Sequence, residues 1–514
     1  MAVCNDLREI FDKKSLQFCY LWTTLFFLIG NVFAMLNFSP QHDELNHPLA
    51  GDPKEHCFRM GRFLLPYISK VKGDITIPWM TGVLTIIIIG LMVYVIADLL
   101  KMKNQSGLII LSASLTCNAC ITALYGAYEY NLDSYCFSAL IGIFGVYLLR
   151  KRKNILYDIG AIVLFVGSLG IYQAEIAVAM IVLLLSVVND ILDGKDIPWK
   201  DILRWVVVFL IAGIVYYAIY KGILYFENLS VTKAYNDLSS LNSLSLSTMF
   251  QSAVSLLSNY IQLFFGNDCF IGEGMRWADI ILGILGLCGL VIGLLGKKIK
   301  NCLFAVLCIA CIPVLSVSMG ILMGDDTIRC YCSYGLFLFY PALLIMIRAG
   351  YMKMKGIMVK VIQTVCVFLI SIVFARNAVY ANGAYSVQKI VFEKTQSVID
   401  LINHDLLNLD GYTPGETEVI IVGPLPHNST ISTIDLEKYA DIPGFLQLST
   451  TYMKTFRYYT DIYTVPILSY LSSSETNETA ALDEVQKMQV FPNKGYMKMI
   501  DGKAVVKVSG KVQE

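Results

Sequence analysis

Long runs of apolar residues occupy most of the first three quarters of this chain. Eleven of them are close to 20 residues long, the length that a helix needs to cross a hydrocarbon layer about 30 Å thick. Lipid cannot hydrogen-bond to the backbone, so each run that crosses must be helical. The runs cover approximately residues 18–38, 77–100, 107–126, 131–149, 155–172, 174–192, 202–226, 277–296, 301–323, 331–348 and 357–375.

The composition agrees with a polytopic α-helical membrane protein. Of 514 residues, 56% are hydrophobic and only 16% are charged, which is too apolar for a water-soluble protein of this length. Basic and acidic residues number 40 each, and no nucleic-acid type of basic cluster occurs, so we expect no nucleic-acid partner. The cysteines lie mainly inside apolar runs, which leaves Cys57 with Cys269 as the only plausible disulfide outside the membrane.

Lysine and arginine residues collect in alternate connections between the apolar runs. They occur before the first run and near residues 101–103, 150–153, 195–204, 297–300 and 348–355. Because positive residues remain on the cytoplasmic side, we expect the N-terminus in the cytoplasm and a multi-pass protein of the cytoplasmic membrane. The first run lacks a small-residue cleavage site, so it is expected to be a retained span.

The composition changes sharply after the last run, and residues 376–514 are expected to form a small extracytoplasmic α/β domain beside a transmembrane domain of residues 1–375. Residues 388–407 have helical apolar spacing, and "EVIIVGPLP" is typical of a buried strand that ends in a loop. "YMKMIDGKAVVKV" predicts a hairpin, because Asp501 and Gly502 supply a tight turn between two alternating runs.

The first outer loop, about residues 39–76, places the adjacent carboxylates Asp43 and Glu44 just beyond the first span. Further along, "EHCFRMGRFLLPYIS" predicts an amphipathic interfacial helix on which Arg59 and Arg62 share a face. A carboxylate at the membrane surface can act as a general base while cations hold a phosphate. That chemistry suits transfer of a group from a lipid phosphate to a hydroxyl. The alternative is a hydrated loop of balanced charge.

Four short motifs together resemble a known family. They are the acidic pair in "SPQHDELNHP", the "MGR" that follows it, "SLGIYQAE" between two short spans, and "VIIVG" in the outer domain. This arrangement resembles the GT-C type membrane glycosyltransferases, and looks most like the bacterial Gtr type II glucosyltransferases. The resemblance implies a many-helix fold with its active site on the outer face. It also implies a polyprenyl-phosphate donor carrying glucose or a related hexose, and a lipid-linked or cell-surface glycan acceptor.

The resemblance also suggests roles by position. Asp43 matches the acidic residue expected to act as base, with Glu44 beside it, and Arg62 matches the Gly-Arg of the family. Many relatives would have Asp-Asp where this chain has Asp-Glu, so which carboxylate takes the proton stays open. The departing polyprenyl phosphate needs fixed cations, and Arg62 and Arg59 are the first candidates because guanidinium groups bind phosphate in bidentate fashion.

Further candidates come from two later outer segments. Arg329, just after "GDDTI", is a second phosphate ligand, or alternatively a residue that snorkels from a helix end. Tyr172, Gln173 and Glu175 are candidates for binding sugar or acceptor. Glu175 is singled out because a carboxylate at the membrane border is costly unless it is paired or hydrated. A structural ion pair is the alternative for Glu175.

No metal site is predicted. His42 and His47 lack the spacing of a zinc site, although Mg²⁺ or Mn²⁺ held by Asp43 and Glu44 stays possible. The connection 227–276 is too polar to span, and its second half is expected to form an interfacial helix that covers a lipid donor.

Two other functions compete with a glycosyltransferase. A transporter or flippase would place ionisable residues near the bilayer midplane around broken helices, whereas here the charges collect at the membrane border. A glycan polymerase or ligase would use a diphosphate-linked donor at the same face.

Overall fold

The computed structural model describes residues 12–39, 53–73, 76–230, 245–266, 276–351, 357–423, 469–470 and 478–509. Asp43, Glu44 and Cys269 lie outside these residues, so the predicted base and the predicted disulfide partner have no structural account. Cys57 is buried.

Helices make up nearly all of the described chain before residue 407. They are α1 (Lys13–Leu36), α2 (Lys54–Arg59), α3 (Leu65–Ile68), α4 (Pro78–Leu99), α5 (Gln105–Thr116), α6 (Ala119–Ala127), α7 (Leu132–Arg150), α8 (Ile155–Ile171), α9 (Ile176–Leu192), α10 (Trp199–Phe226), α11 (Leu246–Phe265), α12 (Arg276–Leu294), α13 (Ile299–Ser316), α14 (Ser318–Met323), α15 (Phe339–Tyr351) and α16 (Ile357–Leu407). Short 3₁₀ turns cover Ser69–Lys72, Glu129–Asn131, Gln173–Glu175, Cys330–Cys332 and Tyr334–Leu338.

Within the described residues, 10 helical segments are long and apolar enough to cross a membrane. Each corresponds to one of the predicted runs, and the remaining run is α8, an apolar helix of 17 residues. A helix of that length is at the short limit for crossing the hydrocarbon layer. The prediction of a polytopic helical membrane protein is therefore confirmed.

The third predicted span is a broken helix, which the sequence reasoning did not anticipate. Between α5 and α6 the backbone leaves helical geometry at Cys117 and Asn118, and Asn118 caps α6 by accepting a 2.9 Å hydrogen bond from the Ile121 N–H. Side chains from other helices satisfy the freed carbonyl groups. Asn377 Nδ2 donates to the Cys117 oxygen at 3.0 Å, and the Tyr334 hydroxyl donates to the Leu115 oxygen at 2.6 Å.

The basic connections meet at one end of the helix bundle, which we call the basic end. Their cations form ion pairs with aspartates there, so the positive charge is largely matched. The pairs are Lys101 with Asp190 and Asp193, Lys103 and Lys151 with Asp98, Arg150 and Lys195 with Asp190, and Arg348 with Asp193. The connections predicted to share one side of the membrane are therefore together in the structure.

The described residues divide into two compact units. The first contains residues 12–36 and 53–383, and the second contains residues 37–39, 384–423, 469–470 and 478–509. The change from one unit to the other occurs inside α16, which continues through the predicted helix at 388–407. The predicted domain boundary after residue 375 also falls inside α16 and stays a prediction.

The second unit contains a four-stranded sheet of β1 (Glu418–Val422), β2 (Ser469–Tyr470), β3 (Met497–Ile500) and β4 (Lys503–Lys507), in the order β2-β1-β4-β3. Strand β1 runs parallel to β2 and β4, and β3 and β4 form the predicted hairpin around Asp501 and Gly502. Both turn residues have positive φ, 50° and 76°, as a tight hairpin turn requires.

Alternate residues of β1 face two different cores. Val419 and Ile421 pack with Ile399, Ile402 and Leu406 of α16, whereas Ile420 and Val422 pack with Val485 on the opposite side. Because the strand is covered on both faces, its residues form the continuous apolar run that identified it in the sequence.

Glycine lets α12 and α15 pack with their backbones in contact. A Cβ atom added to Gly289 would lie 2.4 Å from the Met346 carbonyl oxygen and 2.7 Å from the Ile347 Cα. These are backbone atoms and cannot rotate away. Small residues at helix interfaces are the usual means of close approach inside membranes.

We therefore predict that Gly289→Ala destabilises the bundle by about 2 kcal/mol, because overpacking a tight contact forces the helices apart. Gly213→Ala is the matched control, because no atom lies within 4 Å of a Cβ added at Gly213 in α10. The thermal unfolding midpoint of each purified variant in detergent measures the difference. Equal midpoints for the two variants would contradict this account of the α12–α15 contact.

Candidate functional site

We call the end of the bundle opposite the basic end the loop end. Segments that are far apart in sequence meet there, among them residues 60–64 and 170–173. Gln173 Nε2 donates to the Met60 carbonyl oxygen at 2.8 Å, and the Leu64 N–H donates to the Gly170 carbonyl oxygen at 2.8 Å. The "MGR" and "SLGIYQAE" motifs are therefore in direct contact, which neither motif predicts alone.

The predicted amphipathic helix over residues 55–69 is wrong. The segment instead forms two short helices, α2 and α3, separated by a turn in which Gly61 has a φ of 75°. The Gly61 N–H donates to the Phe58 oxygen at 3.0 Å and the Arg62 N–H to the Cys57 oxygen at 2.8 Å, which closes the first helix. Arg59 and Arg62 therefore lie on opposite sides of a turn and do not share a helical face.

Arg62 is directed toward two stacked tyrosines. Its guanidinium carbon lies 4.8 Å from the ring centroid of Tyr172, and Nη1 donates a 3.3 Å hydrogen bond to the Tyr135 hydroxyl. The two tyrosine rings stack at a centroid distance of 3.8 Å, and both are buried. A guanidinium on an aromatic face keeps its charge and its planar orientation.

A second arginine, from a different loop, lies near Cys332, which contacts the same tyrosine. The Tyr172 hydroxyl lies 3.0 Å from the Cys332 Sγ, and Arg62 and Arg329 both act electrostatically on that thiol. Arg329 itself forms an ion pair with Asp325 at 2.8 Å and donates to the Tyr331 hydroxyl at 3.3 Å. Arg329 therefore lies among ion-paired and hydrogen-bonded residues, directly before the Cys330–Cys332 turn.

Burial affects the ionisable groups around Arg329. It raises the pKa of the Cys332 thiol to about 11, although Tyr172 and the two arginines act in the opposite direction. Cys332 therefore remains a protonated thiol at neutral pH and is a poor nucleophile. Burial also raises the pKa of Asp325, and the positive charge of Arg329 opposes that rise.

Arg59 is held away from this cluster. Its Nη1 donates to the Ser230 carbonyl oxygen at 2.6 Å, Nη2 lies 4.0 Å from Glu55, and its own carbonyl oxygen accepts a 2.9 Å hydrogen bond from Tyr220. The structure thus brings two of the three predicted phosphate ligands, Arg62 and Arg329, within electrostatic range of Cys332 and places the third beside the end of α10.

Gln173 is partly buried and Glu175 is buried. Gln173 Nε2 also donates to the Tyr216 hydroxyl at 2.9 Å, so both of its partners belong to the protein. Glu175 is 1% exposed, and its Oε2 atom has no hydrogen-bond partner among the described residues. It lies within electrostatic range of Cys120, Cys136 and Tyr334. The roles of Tyr172, Gln173 and Glu175 in binding sugar or acceptor stay predictions.

A buried ion pair fixes the end of the first loop to α7. Lys72 Nζ lies 2.6 Å from Asp133 Oδ1, and the two side chains are 3% and 6% exposed. Each charge compensates the other in a region of low dielectric constant, so removal of one partner would leave a buried unpaired charge. This pair supports the loop that carries Arg62.

No motif singles out Tyr135 and Tyr216, which accept hydrogen bonds from Arg62 and Gln173. Each lies inside a predicted span, and the one sequence signal near Tyr135 is the cluster of tyrosines in "YGAYEYNLDSY", which is typical of a membrane interface. Within the part of the chain that the structure describes, no group of three or more His, Cys, Asp or Glu residues could hold a metal ion. Asp43 and Glu44 lie outside that part of the chain.

The geometry suits recognition of an anionic group at the membrane border. Arg62 lies over the ring of the buried Tyr172, and Arg329 acts electrostatically on the adjacent Cys332 thiol. Each guanidinium group can supply several directed N–H donors to phosphate oxygens.

Comparison with known proteins identifies the chain's relatives. The model of the family described as glucosyl transferase GtrII matches residues 32–346, which is more than half of the chain and includes each of the predicted site residues from Asp43 to Arg329. No curated protein and no solved structure matches the chain. The family match confirms the resemblance found in the sequence motifs, and the chain belongs to the glucosyl transferase GtrII family.

Proposed function

We propose that this protein is a GT-C type glycosyltransferase that moves glucose or a related hexose from a polyprenyl-phosphate donor to a lipid-linked or cell-surface glycan. The reaction takes place at the loop end, on the outer face of a bacterial cytoplasmic membrane. The family and the multi-pass helical fold supply the broad class of activity, and the donor, acceptor and membrane face are the proposal.

One observation carries the choice of donor. Arg62 and Arg329 belong to loops more than 260 residues apart, and both act on the Tyr172–Cys332 contact. A polyprenyl phosphate places its tail in the hydrocarbon layer and its phosphate at this border. A pair of arginines there stabilises the negative charge that develops when the sugar leaves.

The proposed reaction is a single displacement. The acceptor hydroxyl gives its proton to Asp43 or Glu44, and its oxygen attacks the anomeric carbon as the bond to the phosphate oxygen breaks. The polyprenyl phosphate leaves with the electron pair, and Arg62 and Arg329 bind its oxygens. One attack from the face opposite the leaving group inverts the anomeric centre.

The alternative of a transporter or flippase gains little support from the broken third span. The freed carbonyls at that break are met by the neutral side chains of Asn31, Asn377 and Tyr334. A transporter would be expected to place ionisable groups at such a midplane break. Uptake of solute into proteoliposomes without a covalent product would favour the transporter.

Replacement of the acidic pair tests the assignment of the base. We expect Asp43→Asn or Glu44→Gln to reduce kcat by about 100-fold or more while donor binding is kept, because a neutral amide cannot accept the proton. Release of polyprenyl phosphate from a panel of polyprenyl-phosphate sugars measures turnover. Full turnover in both single variants would show that neither residue is the base.

Replacement of the arginines tests the phosphate site. We expect Arg62→Ala to raise KM for the donor by about tenfold or more, because a charge-assisted hydrogen bond to phosphate is lost. Arg62→Lys should recover only part of the loss, since an ammonium group lacks the planar fork of donors.

Arg59→Ala is the comparison, because the Ser230 carbonyl already occupies the Arg59 guanidinium. It should change KM less than Arg62→Ala does. A larger effect at Arg59 than at Arg62 would contradict the proposed phosphate site.

A further inference from the structure

Helix α11 has three distinct sectors around its axis. One sector is buried against α12, α13 and α14 and includes Leu256, Tyr260 and Phe264. The second sector, which we call the apolar stripe, consists of exposed Leu246, Phe250, Val254 and Ile261. The third, which we call the polar stripe, consists of exposed Ser247, Gln251, Ser258 and Gln262.

The two exposed stripes are turned relative to each other by a fixed angle. Three residues of the polar stripe directly follow a residue of the apolar stripe in sequence, and one residue corresponds to about 100° of rotation in an α-helix. The helix therefore has one side packed against protein, one exposed apolar side and one exposed polar side. A helix that lies at the boundary between lipid and water has this distribution.

The helices that pack against α11 also expose large apolar side chains. The neighbouring spans α12 and α13 expose large apolar side chains, among them Ile284, Leu287 and Val291 of α12 and Leu303 and Leu307 of α13. In a membrane protein these side chains face acyl chains. Phe250 is 71% exposed and Leu246 is 86% exposed, and no described residue covers them.

The buried sector of α11 borders the Arg329 loop. Leu256 lines a small cavity together with Gly320, Asp325, Arg329 and Cys332, and Asn259 Nδ2 donates to the Asp326 carbonyl oxygen at 2.7 Å. The helix is 20 residues long, so it extends for about 30 Å along this border.

We propose that α11 lies in the plane of the membrane surface, with its apolar stripe among the acyl chains, and forms the wall along which a long-chain lipid reaches Arg329. The second part rests on the proposed function, since it concerns the route of the polyprenyl donor. The first part concerns the bilayer alone and does not depend on any activity.

Photo-crosslinking in lipid vesicles tests the placement of α11. The photoreactive phenylalanine analogue p-benzoylphenylalanine is introduced at Phe250 in the full chain, and at Gln251 as the matched control. Lipid adducts, measured by intact mass, should be at least about fivefold more frequent at position 250 than at 251. The two positions are adjacent in sequence, so a difference between them reports the side of the helix and not its depth in the chain.

Three results would overturn the placement of α11 in the membrane surface. They are equal lipid adducts at the two positions, a crosslink from position 250 to another segment of the same chain, and a crosslink to a second copy of the chain seen as a dimer on a denaturing gel. The second and third would identify the true occupant of the apolar stripe.

The dependence of KM on the chain length of the donor tests the proposed lipid route along α11. The double variant Phe250→Ser with Val254→Ser should raise KM for a long-chain polyprenyl-phosphate sugar by about tenfold and leave KM for a water-soluble short-chain donor unchanged. Gln251→Ser with Gln262→Ser is the control and should change neither value. Equal effects on the two donors, or none, would contradict the role of α11 in guiding the lipid.

The two proposals fail in different ways. Lipid adducts at Phe250 without transfer from any polyprenyl-phosphate donor would support the membrane placement of α11 and contradict both the proposed function and the lipid route. Transfer from the donors without lipid adducts would support the proposed function and contradict the placement.

Discussion

The hydrocarbon interior of the membrane supplies no hydrogen bonds, and this constraint governs the rest of the structure. It requires continuous helices, and wherever a helix is broken it requires side chains that replace the lost bonds. The break between α5 and α6 meets that requirement through Asn31, Asn377 and Tyr334, which come from three other segments. The break thereby ties together helices that are distant in sequence.

The broken span also has a consequence for the loop end. Beyond the break, α6 packs against the Cys330–Cys332 turn, and the Cys120 thiol lies 3.4 Å from the Ser333 carbonyl oxygen. That turn carries Cys332 and directly follows Arg329. The position of Arg329 relative to Arg62 therefore depends on how the third span is broken, although the break itself contains no charged group.

Cations at both ends of the bundle have partners on other segments or loops. At the basic end, lysines and arginines pair with aspartates on neighbouring helices, as Lys101 does with Asp190. At the loop end, Arg329 and Lys72 likewise pair with Asp325 and Asp133, and Arg62 lies over the ring of Tyr172. An aromatic ring orients a guanidinium group and leaves its planar set of N–H donors intact, and the proposed phosphate site rests on this property of Arg62.

The sequence by itself determined the class of the protein, its apolar runs, and the strand and hairpin that follow the last run, because each of these follows from local composition and from periodicity along one segment. The family motifs likewise indicated Arg62 and the segment around Tyr172. Only the tertiary structure decided that Gly61 separates Arg59 from Arg62, that the third span is broken, and that Arg62 and Arg329 both lie near the Tyr172–Cys332 contact. Those features depend on contacts between residues far apart in the chain, and no local pattern encodes which distant groups will supply the missing hydrogen bonds or stack on a given ring.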